Sequence, residues 1–370
     1  MPRTILFIFG TRPEAIKLSS LVQQLRRFPD LYSVKVCVTA QHRQMLDQVL
    51  AAFQIEPDFD LNVMSPDQTL LQSTAKILSA LEPVLAQTKP DLAVVQGDTT
   101  TTLCGALAAF YSGVPVAHVE AGLRTGDLQQ PFPEELNRIL AARLARLHLA
   151  ATQQAADNLR REGIAEGVYV TGNTGIDSLL YVSNRLEPKP LSGKRLVLVT
   201  AHRRESFGPG FERICEALVK IAARGDVRIV YPVHPNPKVR AAVERNLSSQ
   251  PNISLIEPLD YLPFVDLMRQ AYLILTDSGG IQEEGPSLGK PILVLREKTE
   301  RPEAVLAGTV KLVSTDPEKI VSETVRLLDD AAEYQRMSHR HNPYGDGHAC
   351  ERIELIFREF FNHARAQGTG

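Results

Sequence analysis

Three carboxylates in the first half of the chain stand where they could do acid–base chemistry. Asp98 and Glu120 directly follow apolar segments with the character of buried strands, and Glu134 opens a helix after a proline-marked loop. Each acid alone is most simply explained as a helix-capping or dipole-compensating residue. Loops after consecutive strands share one sheet edge, however, so the three acids together predict a catalytic cluster. His118 is expected to point to the same side as Glu120.

The opening stretch of the chain predicts a site for an anion. The apolar run at residues 5–9 is typical of a strand buried on both faces. Thr11 and Pro13 suit the start of the helix that follows, and the free N–H groups of a helix start favour negative charge. Arg12 and Lys17 add two cations. The pattern indicates a phosphate site, and a first strand–helix unit with incidental surface cations is the alternative.

Two histidines follow predicted strands in the second half of the chain. His202 is succeeded by Arg203, which suits an anionic ligand, and its imidazole could act as an acid. His234 occupies the equivalent place after the next strand, within a proline-rich loop. The alternatives are a structural role for the histidines and a merely rigid loop.

The segment 276–284 is the most specific one in the second half. It lies between a buried strand and a helix, and Gly279 and Gly280 allow the backbone to approach a ligand closely. This pattern predicts a pyrophosphate site that includes Ser278. Glu283 or Glu284, about one helical turn further on, could accept hydrogen bonds from ribose hydroxyls.

The elements that must position these residues alternate between strand and helix in both halves. Strands are predicted at residues 5–9, 34–38, 91–95, 114–119, 147–150, 168–170, 196–199, 227–231, 253–256, 273–275 and 292–295. Such alternation predicts parallel sheets with right-handed crossovers. A proline-containing linker is expected at 186–194, and a closing helix at 349–366 could pack on either half. The fold class is α/β, with two Rossmann-like, doubly wound domains.

Composition narrows the functional class. The 370 residues suffice for two domains, and 41 basic against 43 acidic residues give a net charge of −2, so no overall field recruits nucleic acid or an anionic membrane. No apolar run reaches the roughly 20 residues of a membrane span, and no signal peptide is recognised, so a cytoplasmic location is expected. Four widely spaced cysteines predict inert thiols. No metal-ligand spacing or Ser-His-Asp elbow occurs, so we expect no metal.

Seven ordered motifs resemble those of the bacterial non-hydrolysing UDP-N-acetylglucosamine 2-epimerases. They span nearly the whole chain and stand at residues 10–17, 96–99, 118–125, 133–135, 202–205, 278–284 and 299–303. The resemblance implies a glycosyltransferase-B-like fold with two domains facing a cleft. It assigns residues 1–172 and 352–370 to the first domain and 173–351 to a second, UDP-binding domain. Gln96 departs from the pattern, since histidine is expected there.

The resemblance also implies an activity and the residues that carry it. UDP-GlcNAc and UDP-ManNAc would interconvert by elimination of UDP to 2-acetamidoglucal and re-addition, with no redox cofactor. The catalytic residues implied are Asp98, Glu120, Glu134 and His202. The residues implied to bind substrate or UDP are Arg12, Lys17, Phe264, Ser278, Gly279, Gly280, Glu284 and Arg301. A core aromatic is the alternative for Phe264. The rival hypotheses are a hydrolysing epimerase, a UDP-sugar glycosyltransferase and a noncatalytic nucleotide-sugar-binding module. An epimerase that acts on a uronic-acid derivative is a further alternative.

A homodimer and a second, activating site for UDP-GlcNAc are further implications of the resemblance. The activating site is implied at Gln41, His42, Gln44, Arg203 and His234. Asp67 stands where a basic residue is expected. Because an acid repels a diphosphate, the activator is predicted to bind less tightly.

Overall fold

The computed structural model describes the chain except residues 40–42, 66, 188–192, 204–207 and 368–370; the side chains of residues 43–45, 238 and 364–367 are also outside the description. The chain divides into two compact units, Met1–Ser178 with Gly345–Gly370, and Leu179–Tyr344. The domain limits implied by the resemblance stay predictions.

The first unit is built on a parallel sheet. Its strands are β1 Arg3–Phe9, β2 Tyr32–Val38, β3 Phe59–Asp60, β4 Leu92–Gln96, β5 Val116–Val119, β6 Leu147–Ala150 and β7 Val168–Val170. Its helices are α1 Arg12–Arg26, α2 Arg43–Ala52, α3 Leu70–Thr88, α4 Thr100–Tyr111, α5 Glu134–Leu144, α6 Gln153–Arg161 and α15 Ala349–Gln367, and α7 Thr174–Ser183 contains the boundary to the second unit. The strand order is β3-β2-β1-β4-β5-β6-β7, and all pairs are parallel.

The second unit repeats this architecture with six strands. They are β8 Arg195–Thr200, β9 Val227–Pro232, β10 Ile253–Ile256, β11 Leu273–Thr276, β12 Ile292–Val294 and β13 Val310–Leu312. Its helices are α8 Pro209–Ala222, α9 Pro237–Leu247, α10 Tyr261–Gln270, α11 Gly279–Glu284, α12 Pro302–Ala307, α13 Pro317–Asp329 and α14 Ala331–Ser338. The order is β10-β9-β8-β11-β12-β13, again parallel throughout.

Each sheet has one point where the strand order reverses, between β1 and β4 in the first unit and between β8 and β11 in the second. In open α/β sheets, loops at this switch point spread apart and leave a crevice at the carboxyl ends of the strands. The predicted α/β class with two parallel sheets is confirmed. The short strands β3 and β13 were not predicted.

The first strand and helix follow the expected local rules. Ile5 and every residue up to Phe9 are fully buried, as the apolar run predicts for a central strand. Thr11 is the N-cap residue of α1, and Pro13 lies in its first turn, where its missing N–H costs no helical hydrogen bond. The site segment that follows β1 therefore starts from a fixed backbone.

The closing helix α15 packs within the first unit. Its Glu354 accepts a hydrogen bond of 3.0 Å from the Tyr32 hydroxyl, and its Phe361 ring lies 6.4 Å from that of Tyr32. At the start of α15, the buried Asp177 carboxylate accepts hydrogen bonds from the backbone N–H groups of Ala349, at 3.3 Å, and Cys350, at 2.8 Å. Asp177 thus satisfies helix-start donors that would otherwise lack partners.

Asp177→Ala is expected to lower the free energy of unfolding by about 1–2 kcal/mol, the usual cost of a lost helix cap. Asp177→Asn keeps an acceptor oxygen and should lose clearly less. Urea denaturation measures both, with Asp157→Ala as the control because Asp157 is only partly buried and lies within α6, away from the start of α15. Equal stability of Asp177→Ala and wild type would remove the capping role.

All four cysteines are free and buried. Burial raises the pKa of the Cys37 thiol to about 12, so this thiol stays protonated and unreactive. In the part of the chain that the structure describes, no helix has the length and apolar character needed to cross a membrane.

Candidate active site

The predicted acids lie at the carboxyl edge of the first sheet, around its switch point. Asp98 follows β4, Glu120 follows β5, and Glu134 begins α5. Asp98 and Glu134 line a cavity of about 600 Å³ together with Arg12 at the start of α1. We call Asp98, Glu120 and Glu134 the acid cluster.

Asp98 does not cap a helix. The N-cap residue of α4 is Thr99, whose side chain accepts from the backbone N–H of Thr102. The Asp98 carboxylate instead faces α5, where Arg138 donates to its Oδ2 through Nε at 2.9 Å and lies within 2.7 Å through Nη2. The capping alternative is therefore wrong, because the adjacent threonine already supplies the cap.

The surroundings of the Asp98 carboxyl group shift its pKa in both directions. Burial raises its pKa, the Arg138 charge lowers it, and the nearby Glu120 charge raises it again, with a net upward shift. A carboxyl group whose pKa is moved toward neutrality can both accept and return a proton at working pH.

Arg138→Met is expected to move the pH dependence of Asp98 to higher pH. Removing the cation leaves burial and Glu120, which both raise the pKa of Asp98. The limb of the kcat/KM profile that belongs to Asp98 should therefore shift upward in pH. Arg143→Met, an exposed position on the same helix α5, is the control. An unshifted limb in Arg138→Met would contradict the pairing.

Glu120 accepts hydrogen bonds from a residue of α1 and from the last residue of β4. The Lys17 ammonium donates to its Oε1 and the Gln96 amide donates to its Oε2. Glu120 lies just beyond β5 with φ of 64°, a left-handed backbone that a non-glycine residue adopts only at some cost. The sequence analysis expected His118 and Glu120 to point to the same side because side chains alternate along a strand. That reason is wrong, because β5 ends at Val119 and the backbone of Glu120 is not extended.

His118 has a structural role. It is buried, and its Nε2 lies 2.7 Å from the carbonyl oxygen of Gly97, so Nε2 carries the proton in this hydrogen bond. Burial lowers the pKa of His118 to about 4, which keeps the ring neutral. The ring therefore fixes the loop between Gln96 and Asp98.

The two acids at the start of α5 differ in their surroundings. Glu135 Oε1 accepts from the backbone N–H groups of Thr125 and Gly126, both at 3.0 Å, and its Oε2 accepts from Arg138 at 3.0 Å. Glu134 Oε2 is buried and has no hydrogen-bond partner among the described residues. An unsatisfied carboxylate oxygen beside a cavity is suited to receive a ligand proton or hydroxyl. Glu135 thus holds the loop at Thr125 and Gly126, whereas Glu134 keeps one carboxylate oxygen without a partner among the described residues.

Glu14 is a site residue that the sequence analysis missed. Its Oε2 accepts from the backbone N–H groups of Gly10, at 3.0 Å, and Thr11, at 2.7 Å. Its Oε1 accepts from the hydroxyls of Thr99 at 2.7 Å and Thr102 at 3.2 Å. The buried carboxylate thereby joins the loop that carries Arg12 to the loop after Asp98. The available signals were an acidic residue in the first turn of the predicted helix and its place in the motif at residues 10–17.

In the second unit, the switch-point edge brings His202 to Asp277. The backbone N–H groups of His202 and Arg203 both donate to Asp277 Oδ2 at 2.7 Å, and His202 Nδ1 lies 3.4 Å from Oδ1. Asp277 is fully buried. The aspartate thus orients the imidazole and the loop after β8, a role that was not predicted although Asp277 stands within the segment singled out.

His202 also stacks on His234, with ring centroids 5.3 Å apart and planes at 13°. Burial lowers the pKa of His202, Asp277 raises it, and His234 and Arg203 lower it, with a net downward shift. A neutral imidazole therefore predominates at neutral pH. Of the implied activating site, Arg203 and His234 are described, while Gln41, His42 and the side chain of Gln44 lie outside the described residues.

The glycine segment after β11 is open to a ligand. A Cβ atom on Gly280 would have no neighbour closer than 3.9 Å, and those neighbours are the side chains of Ser278 and Glu284. A Cβ atom on Gly279 would lie 3.4 Å from the Arg301 guanidinium, which in turn donates to Glu283. The Ser278 hydroxyl, the Glu284 carboxylate and the Arg301 guanidinium group therefore lie close to the two glycines. Phe264 is a partly buried residue of α10.

The described residues contain no cluster of three or more His, Cys, Asp or Glu side chains that could hold a metal ion.

Comparisons with known proteins show the family to which the chain is similar. A family model described as UDP-N-acetylglucosamine 2-epimerase matches residues 23–358. The UDP-N-acetylglucosamine 2-epimerase of Salmonella typhimurium is 58% identical over 371 aligned positions, which cover 96% of this chain and 98% of the relative.

Solved structures of two proteins have a backbone fold similar to that of this chain over nearly its whole length. A putative UDP-N-acetylglucosamine 2-epimerase from Listeria monocytogenes has a TM-score of 0.93 and 43% identity, covering 98% of each chain. The UDP-GlcNAc 2-epimerase from Neisseria meningitidis, solved bound to UDP-GlcNAc, has a TM-score of 0.85 and 46% identity, covering 96% of this chain and 100% of that one. With the family model spanning most of its length, the chain belongs to the UDP-N-acetylglucosamine 2-epimerase family.

Proposed function

We propose that this chain catalyses the reversible interconversion of UDP-GlcNAc and UDP-ManNAc at C2 of the sugar, without hydrolysis. The observation that carries the proposal is the acid cluster at the first switch point, present in a chain of this family. The relative from Neisseria meningitidis was solved with UDP-GlcNAc bound, which supports the substrate.

The chemistry requires loss of UDP before the configuration at C2 can change. C2 carries no adjacent carbonyl group, so its proton is too weakly acidic for direct removal. In the proposed elimination, the C1–oxygen bond breaks first, with its electron pair going to UDP, and positive charge develops on the ring. A carboxylate then takes the C2 proton, and the electron pair of the C2–H bond forms the double bond between C1 and C2. Re-addition of UDP to 2-acetamidoglucal, with a proton returned to the opposite face of C2, gives the epimer.

The proposed roles follow from charge and surroundings. Asp98, Glu120 and Glu134 supply the proton transfers and stabilise positive charge on the ring, while Arg12 and Lys17 favour the anionic diphosphate.

We assign UDP binding mainly to the second unit. Ser278, Gly279, Gly280 and Arg301 are proposed for the diphosphate, Glu284 for ribose, and Phe264 for the uracil. His202 is proposed to assist departure of UDP; its contacts with Asp277 fix the ring for that task. The scheme involves no net oxidation or reduction, because the formal changes at C1 and C2 cancel.

The test is product analysis after incubation of the purified chain with UDP-GlcNAc alone. The proposal predicts a mixture of UDP-GlcNAc and UDP-ManNAc, with no net release of UDP. Free ManNAc with an equal amount of UDP would instead establish a hydrolysing epimerase. Absence of any turnover until an acceptor is added would establish a glycosyltransferase.

The homodimer and activation by UDP-GlcNAc at a second site stay proposals that rest on the resemblance. The stacking of His202 on His234 supports a link between the two sites, because one ring belongs to each residue set. Asp67 is exposed and adopts a left-handed backbone with φ of 57°. Its predicted effect, a requirement for more activator, stays a prediction.

A further inference from the structure

The second unit contains a cavity at the edge of its sheet opposite the candidate active site. The cavity has a volume of about 390 Å³ and includes Arg195, at the start of β8, and Tyr272, which directly precedes β11. Ser278 and His202 follow the other ends of these two strands. At about 3.3 Å per residue, the length of β8 separates the two edges by roughly 15–20 Å. The cavity is therefore not part of the candidate active site.

Among the residues that the structure describes, every charged side chain lining the cavity is cationic: Lys194, Arg195, Arg228, Arg269 and Lys290. Two of them have carboxylate partners outside the lining, since Arg195 pairs with Asp226 and Arg269 with Asp266. Lys194 donates to the neutral side-chain amide of Asn252, so its charge is not compensated there.

Lys290 and Arg228 have no side-chain partner within the described part of the chain, and both are partly buried. The Nε atom of Arg228 is buried and lacks a hydrogen-bond partner. Burial lowers the pKa of Lys290, and the adjacent Arg269 charge lowers it further. Unpaired cations that are partly removed from water and repel each other carry a cost that a bound anion would relieve.

The wall of the cavity is held in place before any ligand arrives. Arg269 donates to the backbone carbonyl groups of Ser183, Leu186 and Glu187. Tyr272 stacks on Tyr334 with ring centroids 4.2 Å apart, and the Arg195 guanidinium lies 5.4 Å from the Tyr272 ring centre. The cavity thus combines fixed positive charge with a volume in the range of small-molecule sites, about 300–1,000 Å³.

We propose that this cavity is a second binding site of the chain, for a small phosphate-bearing anion with at least two negative charges. Lys290, Arg228 and Lys194 supply the uncompensated charge that such an anion would neutralise. The site goes beyond the proposed epimerase activity and is independent of it.

The test is titration of the full chain with inorganic pyrophosphate by calorimetry. The variants are Lys290→Met and Arg228→Met, with Lys319→Met, exposed near the start of α13, as the charge-matched control. The wild-type affinity of the cavity for pyrophosphate should weaken about tenfold or more in each cavity variant, because each substitution removes one charge-assisted hydrogen bond to the anion. Binding at the diphosphate region of the candidate active site should persist in both variants. Lys319→Met should bind as wild type does.

Thermal unfolding separates ligand binding from a structural role. In phosphate-free buffer, Lys290→Met should have a Tm at or above that of the wild type, because an unpaired, partly buried cation is removed. Pyrophosphate should then raise the Tm of the wild type more than that of Lys290→Met. Equal pyrophosphate affinity in wild type and both cavity variants would overturn the proposal.

A second arm replaces pyrophosphate with ADP to identify the source of the phosphates. Tighter binding of ADP would indicate a nucleotide, and tighter binding of pyrophosphate would indicate a free inorganic anion. In either case, the binding must be lost in Lys290→Met. Retention of all ADP and pyrophosphate binding in that variant contradicts the site.

Discussion

Asp98→Asn is expected to lower kcat by about 100-fold or more, the scale of a lost acid–base group, while the protein stays folded. Asparagine has nearly the same shape and can still accept from Arg138, so the contact with α5 persists. Because Thr99 caps α4, the substitution removes no helix cap. What it removes is the ability to exchange a proton.

Asp91→Asn is the matched control, because Asp91 lies at the opposite end of β4 from Asp98. Asp91 directly precedes β4, where Asp98 follows it, and Asp91 also pairs with an arginine, Arg3, at 2.7 Å. Asp91→Asn should therefore leave kcat within a few-fold of wild type while making the same change in charge. A near-wild-type rate in Asp98→Asn would assign Asp98 to structure rather than catalysis.

Glu120→Gln is expected to have an effect of similar size, a loss of about 100-fold or more in kcat. The substitution removes the negative charge that faces Lys17 and places an amide N–H₂ group against either Lys17 or Gln96, both of which are donors. The proton-transfer group is lost, and the lysine loses its counter-charge. The rate is measured with UDP-GlcNAc by NMR, and circular dichroism checks the fold.

Glu162→Gln is the control for this second substitution. Glu162 also pairs with a cation of the first unit, because Arg124 donates to it at 2.7 Å and 2.9 Å. Glu162→Gln disturbs the ion pair with Arg124 and leaves the acid cluster intact, so kcat should change little. If Glu162→Gln and Glu120→Gln lowered kcat equally, the loss would reflect general damage to the unit.

The fold class could be predicted from the sequence because most strands are recognisable from their own residues. The apolar run of β1 and the glycine that follows it identify a buried strand and its turn without any knowledge of the partners. The strand β3 was missed because it has only two residues, too few to show a period. The strand β13 was missed because Lys311 interrupts its three residues, so they form no continuous apolar run.

The residue contacts of the site could be predicted only in part. The acids are visible because they stand at strand exits, but their partners come from other segments: Arg138 lies 40 positions from Asp98, and Asp277 lies 75 positions from His202. No local pattern encodes such a pairing. The departure at Gln96 likewise had no meaning until the structure placed its amide against Glu120.

The most direct test of the proposed elimination is the fate of the C2 hydrogen in heavy water. The purified chain is incubated with UDP-GlcNAc in D₂O without an acceptor, and the nucleotide sugars are analysed by mass spectrometry and NMR. We expect one deuterium at C2 in UDP-ManNAc and, at equilibrium, also in UDP-GlcNAc, because the removed proton exchanges with solvent before re-addition. Formation of UDP-ManNAc that keeps its original C2 hydrogen, or recovery of unlabelled UDP-GlcNAc alone, would contradict the account.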